Sequence, residues 1–266
     1  RSAGAPLFGG WVCKIIDRSC CDERAVSRPW GARMVRSLLK ARALLDALAG
    51  DSGELRLSEL AAATGLHPTT ARRLLRTLEH IGFVAQDPVT RQYRLGLGLY
   101  QLGQRVAAQL DVRRISRPHL ERLRDLANEA SYLAAYDRGF VVYLDRVDAP
   151  HMIQLVSEIG GRLPAHATAT GRAILAHMRD DELDDLFKSL RRAGGVGDLD
   201  LDRLREELQR VREQGYAMTW GEPTADTFSV AAPVYGPTGT VTFAIAISGP
   251  AYRVARDVVA TRFAAA

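Results

Sequence analysis

At 266 residues, with 47% hydrophobic and 25% charged side chains, the chain is long enough for two domains and has the balance of a globular protein. No apolar run approaches the roughly 20 residues of a membrane-crossing helix, which excludes a helical membrane protein. The formal net charge of +5 is uneven: residues 1–33 hold six Lys/Arg against three Asp/Glu, residues 34–96 nine against six, and the remainder 21 against 22, so a basic N-terminal third precedes a nearly neutral body.

Residues 1–33 mix Gly, Pro, Arg and the three cysteines Cys13, Cys20 and Cys21 without a defensible period. They are expected to be a leader, disordered or non-native, ahead of a natural start at Met34, with a basic DNA-contacting arm as the alternative. The cysteine spacing is not that of a zinc site, and the cysteine-free body holds neither a disulfide framework nor a cysteine nucleophile. Residues 35–49 predict a helix with Leu38, Ala41, Leu45 and Leu48 at helical spacing and Gly50 past its end. A loop at Asp51-Ser52-Gly53 follows.

Residues 57–95 predict two short helices, a tight turn and a two-stranded wing. Ser58 is the expected N-cap of the first helix, Thr64-Gly65 closes it, and Pro68 opens the second. At 100° per residue, Ala71, Leu74, Leu75, Leu78 and Ile81 share one face of that second helix. Thr69, Thr70, Arg72, Arg73, Arg76, Thr77 and His80 share the other. Gly82 ends it, and residues 83–86 and 91–95 alternate as strands around Asp87-Pro88-Val89-Thr90. In a helix-turn-helix the second helix enters the major groove, where Arg reads guanine and Thr reaches a base edge or the thymine methyl. Thr69, Thr70, Arg72, Arg73 and Arg76 are therefore the candidate DNA-reading residues, and Arg91 and Arg94 the wing contacts. An exposed basic helix face is otherwise a solvated surface; turn, helix and basic wing in this order favour DNA.

Leu99, Leu102, Val106 and Leu110 then form a narrow apolar stripe on a linker helix, fit to pair with a copy of itself or to pack beneath a domain. From about residue 113, Pro118 is expected to open a helix with Leu120, Leu123, Ala127 and Ala130 on one side. Strands at 132–136, 140–147 and 152–157 follow, then a loop, a helix from Gly171 through Met178, helices at 180–190 and 201–214, strands at 216–220, 228–235 and 240–248, and a last helix from about Val254. This is an α+β order with a largely antiparallel sheet. The expected organisation is a leader at 1–33, a winged helix-turn-helix domain at 34–96, a linker helix at 97–112 and a ligand-binding domain at 113–266.

The last strand sets Val241, Phe243, Ile245 and Ile247 against Thr240, Thr242, Ala244, Ala246 and Ser248. Phe228, Val230 and Val234 oppose Ser229 and Ala231 in the same manner. A sheet face of small residues with isolated hydroxyls leaves room for a small molecule, or for a closely packed helix or second subunit. Thr168-Ala169-Thr170-Gly171 at a helix start offers backbone N–H groups to a carboxylate. His166 and His177 lack a nucleophile or carboxylate partner in a motif, so no catalytic residue, metal or cofactor is expected.

Three segments carry a family resemblance: LSELAAATGLHPTTARRLLRTLEHIGFV with YRLGLGLYQLG, RLPAHATATGRAILA, and GYAMTWGEPTADTFSVAAPVYGPTG continuing to AISGP. From Val35 to Arg253 the chain resembles the isocitrate lyase regulator (IclR) family of bacterial transcription factors. The resemblance implies a two-domain α+β protein: an N-terminal winged helix-turn-helix, a linker helix and a C-terminal GAF-like effector-binding domain. It implies a cytoplasmic dimer or dimer of dimers on an inverted-repeat operator, answering to a small carboxylated metabolite. The implied effector positions are Met152, Ala169, Thr170, Thr219, Ser229, Ala246 and Ser248. Thr219 stands where an acidic residue or Ser is common, Ala246 where a Ser can occur, and Phe228-Ser229 replaces a more usual basic residue and its neighbour. Those departures favour a less polar ligand than the smallest keto acids. An enzyme on a GAF fold and a DNA-binding module whose second domain only dimerises are the alternatives.

Overall fold

The computed structural model describes residues 35–50, 53–151, 158–193 and 200–259. The expected leader, the expected strand at 152–157 and Met152 lie outside the described residues. The chain forms two compact units that divide between Asp111 and Val112.

The first unit comprises α1 (Arg36–Leu48), β1 (Glu54–Leu55), α2 (Leu57–Thr64), α3 (Pro68–His80), β2 (Val84–Gln86), β3 (Tyr93–Leu95) and α4 (Leu97–Gln109). Leu44, Leu48, Leu60, Ala71, Leu75, Leu78, Val84 and Tyr93 make its core. The inner face of α1 begins at Ala41 and adds Leu44, whereas Leu38, expected inside, is 69% exposed one turn before the core starts. The first turn of α2 is fixed from its third residue. The Arg56 N–H donates to Glu59 Oε2 at 2.6 Å, so Arg56 rather than Ser58 is the N-cap. Gly65 closes α2 in the left-handed conformation at φ 64°. Helix α3 starts with Pro68 and stops at His80, which leaves Ile81 at the cap, half-exposed instead of on the apolar face. The wing has three strands rather than two, in the order β1-β3-β2, because Glu54 and Leu55 pair with Arg94 and Tyr93. Helix α4 ends at Gln109 and leaves Leu110 as its cap.

The second unit is built on a six-stranded antiparallel sheet in the order β6-β5-β4-β9-β8-β7. Its strands are β4 (Ala130–Asp137), β5 (Phe140–Val147), β6 (Arg162–Pro164), β7 (Ala217–Trp220), β8 (Thr227–Tyr235) and β9 (Val241–Pro250). Arg138 and Gly139, both at positive φ, make the tight turn between β4 and β5. Helix α5 (Asp111–Ala127) passes through Pro118 instead of starting there. The interior Pro forgoes the hydrogen bond its nitrogen would have given the preceding turn. Ala130, expected on that helix, begins β4 after Asn128 turns the chain at φ 56°.

Helix α5 covers the bulky sheet face. Leu120 packs with Leu133, Val147, Phe243 and Ile245, and Ala127 with Phe228, Val230 and Ile247. The small face lies under α6 (Ala169–Leu175), α7 (Asp180–Ala193) and α8 (Leu201–Gln214), where Ala217, Ala231, Ala244 and Ala246 meet Ala173, Leu175, Leu186 and Leu204. A register shift where Tyr235 pairs with Val241 moves Val241 to this second face, away from Phe243 and Ile245. Asp200 caps α8 through the Asp202 and Arg203 amides, and Gly215 ends it at φ 84°. The described residues end with a 3-10 turn at Ala251–Arg253 and α9 (Arg256–Val258), which begins two residues beyond the expected Val254.

Candidate nucleic-acid interface and effector site

On α3 the division of faces is sharp. Ala71 and Leu75 are fully buried and Leu78 nearly so, while Thr69, Arg72, Arg73 and Arg76 are exposed and Thr70 is half-buried. His67 starts the helix by accepting the Thr69 N–H on Nδ1 at 3.4 Å. Thr77 turns its hydroxyl back to the Arg73 carbonyl at 3.2 Å, so it serves the helix backbone. In the wing, Asp87 Oδ1 accepts from the Thr90 and Val89 amides at 2.7 and 2.8 Å. Those two bonds, that of Thr90 first, hold its carboxyl below its ordinary value. Arg91 follows at φ 62°, its carbonyl taking the Gln86 side-chain amide at 3.0 Å. Arg94 lies opposite Glu54 in the ladder, 3.6 Å from its carboxylate, so its charge is partly met within the unit. Sequence reasoning missed that partner because a two-residue strand has no period to detect.

In the second unit Thr219 pairs with Ser229 and Ser229 with Ser248, which sets three hydroxyl side chains in one row across β7, β8 and β9. Ser248 Oγ donates to the Phe228 carbonyl at 2.9 Å. Thr219 is 2% exposed, and its Oγ1 is buried with no hydrogen-bond partner among the described residues. Ala246 lies in the next row, opposite Ala231 and Tyr132. Ala169 and Thr170 open α6 and are buried. The small stripe that promised room is therefore filled along Ala231, Ala244 and Ala246 by packed helices, and a buried hydroxyl without a partner among the described residues stands at the end of the row, on Thr219.

The start of α6 is tightly built. Thr168 Oγ1 accepts from the Gly171 amide at 3.0 Å and from the Thr170 hydroxyl at 3.3 Å. A Cβ at Gly171 would run into the Ala165 carbonyl, so only glycine fits there. Arg172 ties this region to two others. Its Nε donates to the His166 carbonyl at 2.8 Å, and its guanidinium pairs with Glu207 of α8 at 2.8 Å and with Glu222 after β7 at 2.6 Å. This clamp has no sequence signature, since its acids lie 35 and 50 residues away. His166 Nδ1 is buried without a partner among the described residues; burial first, and the Arg172 charge second, lower the imidazole to about 4. His177 contacts the Tyr235 hydroxyl at 3.4 Å through Nε2.

An open cleft of about 300 Å³ lies elsewhere, lined by Ala127, Asn128, Glu129, Arg253, Val254, Ala255 and Val258. Its floor is an internal ion pair, Arg253 Nη1 standing 2.9 Å from both Glu129 oxygens. None of the expected site residues lines it. Among the described residues no cluster of His, Cys, Asp and Glu is arranged to hold a metal, and no helix is long and apolar enough to cross a membrane.

Residues 37–88 match the IclR helix-turn-helix domain, and residues 104–266 match the bacterial transcriptional regulator IclR C-terminal domain. The HTH-type transcriptional repressor AllR of Salmonella typhi is 30% identical over 233 residues, covering 87% of this chain and 86% of the relative. The crystal structure of an IclR transcriptional regulator from Alicyclobacillus acidocaldarius superposes with a TM-score of 0.73 at 27% identity, covering 87% of this chain and 94% of that one. At 22% identity and a TM-score of 0.70, an IclR homolog from Microbacterium hydrocarbonoxydans complexed with 4-hydroxybenzoate shares the fold, over 86% of this chain and 96% of that one. With both domains matched in order along the chain, and the apolar and basic faces of α3 set as such a regulator needs them, this protein is a member of the IclR family of bacterial transcriptional regulators.

Proposed function

We propose that α3 reads an inverted-repeat operator in double-stranded DNA through Thr69, Thr70, Arg72, Arg73 and Arg76, with Arg91 and Arg94 of the wing on the backbone or in the minor groove. The observation that carries this is the exposure of Thr69, Arg72, Arg73 and Arg76 on the face opposite the buried Ala71, Leu75 and Leu78. Two copies engage the repeat as a homodimer or a dimer of dimers in the cytoplasm. Leu102 and Val106 of α4, 48% and 58% exposed, supply an apolar stripe for that pairing.

Residues 113–266 bind a small carboxylated metabolite that changes operator affinity. Thr219, Ser229 and Ser248, with Ala246 in the next row and Ala169 and Thr170 opening α6, form its site, and Met152 joins them on the family's pattern. The unpartnered Thr219 hydroxyl supports this reading, since a buried donor without an acceptor is costly until a ligand supplies one. Thr219 brings no charge, so an aromatic or branched-chain acid fits better than the smallest keto acids. The 4-hydroxybenzoate held by the Microbacterium relative is such an acid. The test is anisotropy of a labelled inverted repeat selected by the full chain from random duplex DNA, titrated with a panel of aromatic and branched acids and their amides. An acid that shifts affinity while its amide does not supports the reading. Amides acting as well as acids remove the carboxylate from it, and no selection of a repeat removes the operator.

A further inference from the structure

The end of α3 and the start of α4 are joined backbone to backbone. Gly82, left-handed at φ 76°, lies two residues beyond the last residue of α3, and the Phe83 amide reaches back to the Leu78 carbonyl at 2.8 Å. The β2–β3 ladder then returns the chain to the same place. The Gly96 amide donates to the Phe83 carbonyl at 2.8 Å, and the Gly98 amide, in the first turn of α4, donates to the Gly82 carbonyl at 2.9 Å. A first-turn amide has no acceptor within its own helix, and here it finds one in the carbonyl of the glycine that follows the neighbouring helix.

Only glycine permits this approach. A Cβ at Gly96 would collide with the Gly82 carbonyl, and one at Gly98 would stand 2.7 Å from the same oxygen. Gly103, further along α4, would meet nothing within 4 Å. The side chains of α4 do little to hold it, because none of its residues is buried. The two amide bonds and the glycine contact are thus what sets its direction from α3.

We propose that Gly96 and Gly98 are positioning residues for DNA recognition: they fix the angle between α4 and α3, and through it the spacing at which two copies present their recognition helices to the half-sites. The inference rests on the reading that α4 pairs two copies on an inverted repeat. Such pairing is exacting, since each added base pair moves a half-site by roughly 3.4 Å and turns it by roughly 35°.

The full chain is measured by anisotropy on duplexes carrying its selected half-sites at separations changed one base pair at a time, and on a duplex with a single half-site. Wild type should lose at least tenfold in affinity one base pair away from its optimum. Gly98→Ala should flatten that profile to within threefold, or move its optimum, with single half-site affinity kept within twofold. Gly103→Ala should leave the profile unchanged. An unaltered profile in Gly98→Ala overturns the inference, as does an equal loss on the single half-site, which would place Gly98 in the reading of bases or in the fold itself. A wild type indifferent to spacing overturns the two-copy reading and the inference together. Hydrogen exchange on the wild type tests the junction without any variant. Gly96 and Gly98 amides should be protected like those of Leu75 and Leu78, and loop-like exchange would overturn the proposal.

Discussion

Replacing Thr219 by Val separates the stability of the second unit from its response to a ligand. Thr219 is 2% exposed and its hydroxyl has no acceptor or donor among the described residues. Val keeps the branched shape and removes the oxygen. A buried hydroxyl without a partner carries a penalty of about 1–3 kcal/mol, so Thr219→Val should stabilise the ligand-free protein by about that amount. In a domain of this size each kcal/mol raises the melting temperature by roughly 2–4 °C. If the hydroxyl is held for a ligand oxygen, the same change should weaken the acid that proves active by about tenfold to a hundredfold, the worth of a hydrogen bond to a charged group. Calorimetric melting of the full chain with and without that acid gives both numbers. Destabilisation of the ligand-free variant would mean that the hydroxyl has a partner, and unchanged affinity would mean that it does not face the ligand.

Arg73→Ala should weaken binding to the selected repeat by about 1–3 kcal/mol and relax preference at one base position, whereas a smaller salt slope with unchanged preference would mark a phosphate contact. Ser229→Leu, in the middle of the hydroxyl row, should abolish the acid response in the anisotropy assay with operator affinity kept, because the two units have separate cores. A normal response in that variant would place the effector elsewhere. His166 titrates near 4 in the folded chain against 6.5 for a free imidazole, so as pH falls the unfolded chain takes up its proton first. The stability tied to neutral His166 is complete above about pH 6.5 and is lost as pH falls to about 4, at up to about 1.4 kcal/mol per pH unit. Urea titrations of His166→Gln should show a shallower acid slope in that window, and an identical slope would refute the assignment.

What could be read from the chain was what repeats along it. The faces of α3 follow from 3.6-residue periodicity, and the alternation in β8 and β9 follows from a period of two, so the exposed Thr and Arg side chains of α3 and the hydroxyls of Ser229 and Ser248 stood out, whereas Thr219 was reached only through the family resemblance. Element ends were misplaced where a distant or unexpected partner decided them. Glu59 reaches back to start α2 at Arg56, and Pro118 is tolerated inside α5. Features made by pairs far apart in the chain were invisible: β1 on β3, the Arg172 clamp, and the register shift that turns Val241 to the other face. The small stripe was visible, but its occupant was not. Alanines at 231, 244 and 246 admit a ligand and a helix equally well, and only the path of the chain after His166 lays α6 over them.

That occupant limits how a ligand acts. With α6 packed on Ala231 and Ala246, the small face next to the hydroxyl row is filled rather than a vacant chamber. Arg172, in the first turn of α6, is already answered by Glu207 and Glu222. A bound acid on the proposed site therefore meets hydroxyls and backbone amides, not a free counter-charge, and its affinity depends on apolar burial together with a few hydrogen bonds. A ligand can shift a regulator only by the difference in its affinity for two conformations, and couplings of this kind amount to about 1–3 kcal/mol. Thr219 alone supplies a hydrogen bond of that order when its acceptor arrives. On the proposed site, the uncommitted Thr219 hydroxyl is thus sufficient for a graded response of about five- to 150-fold in operator affinity.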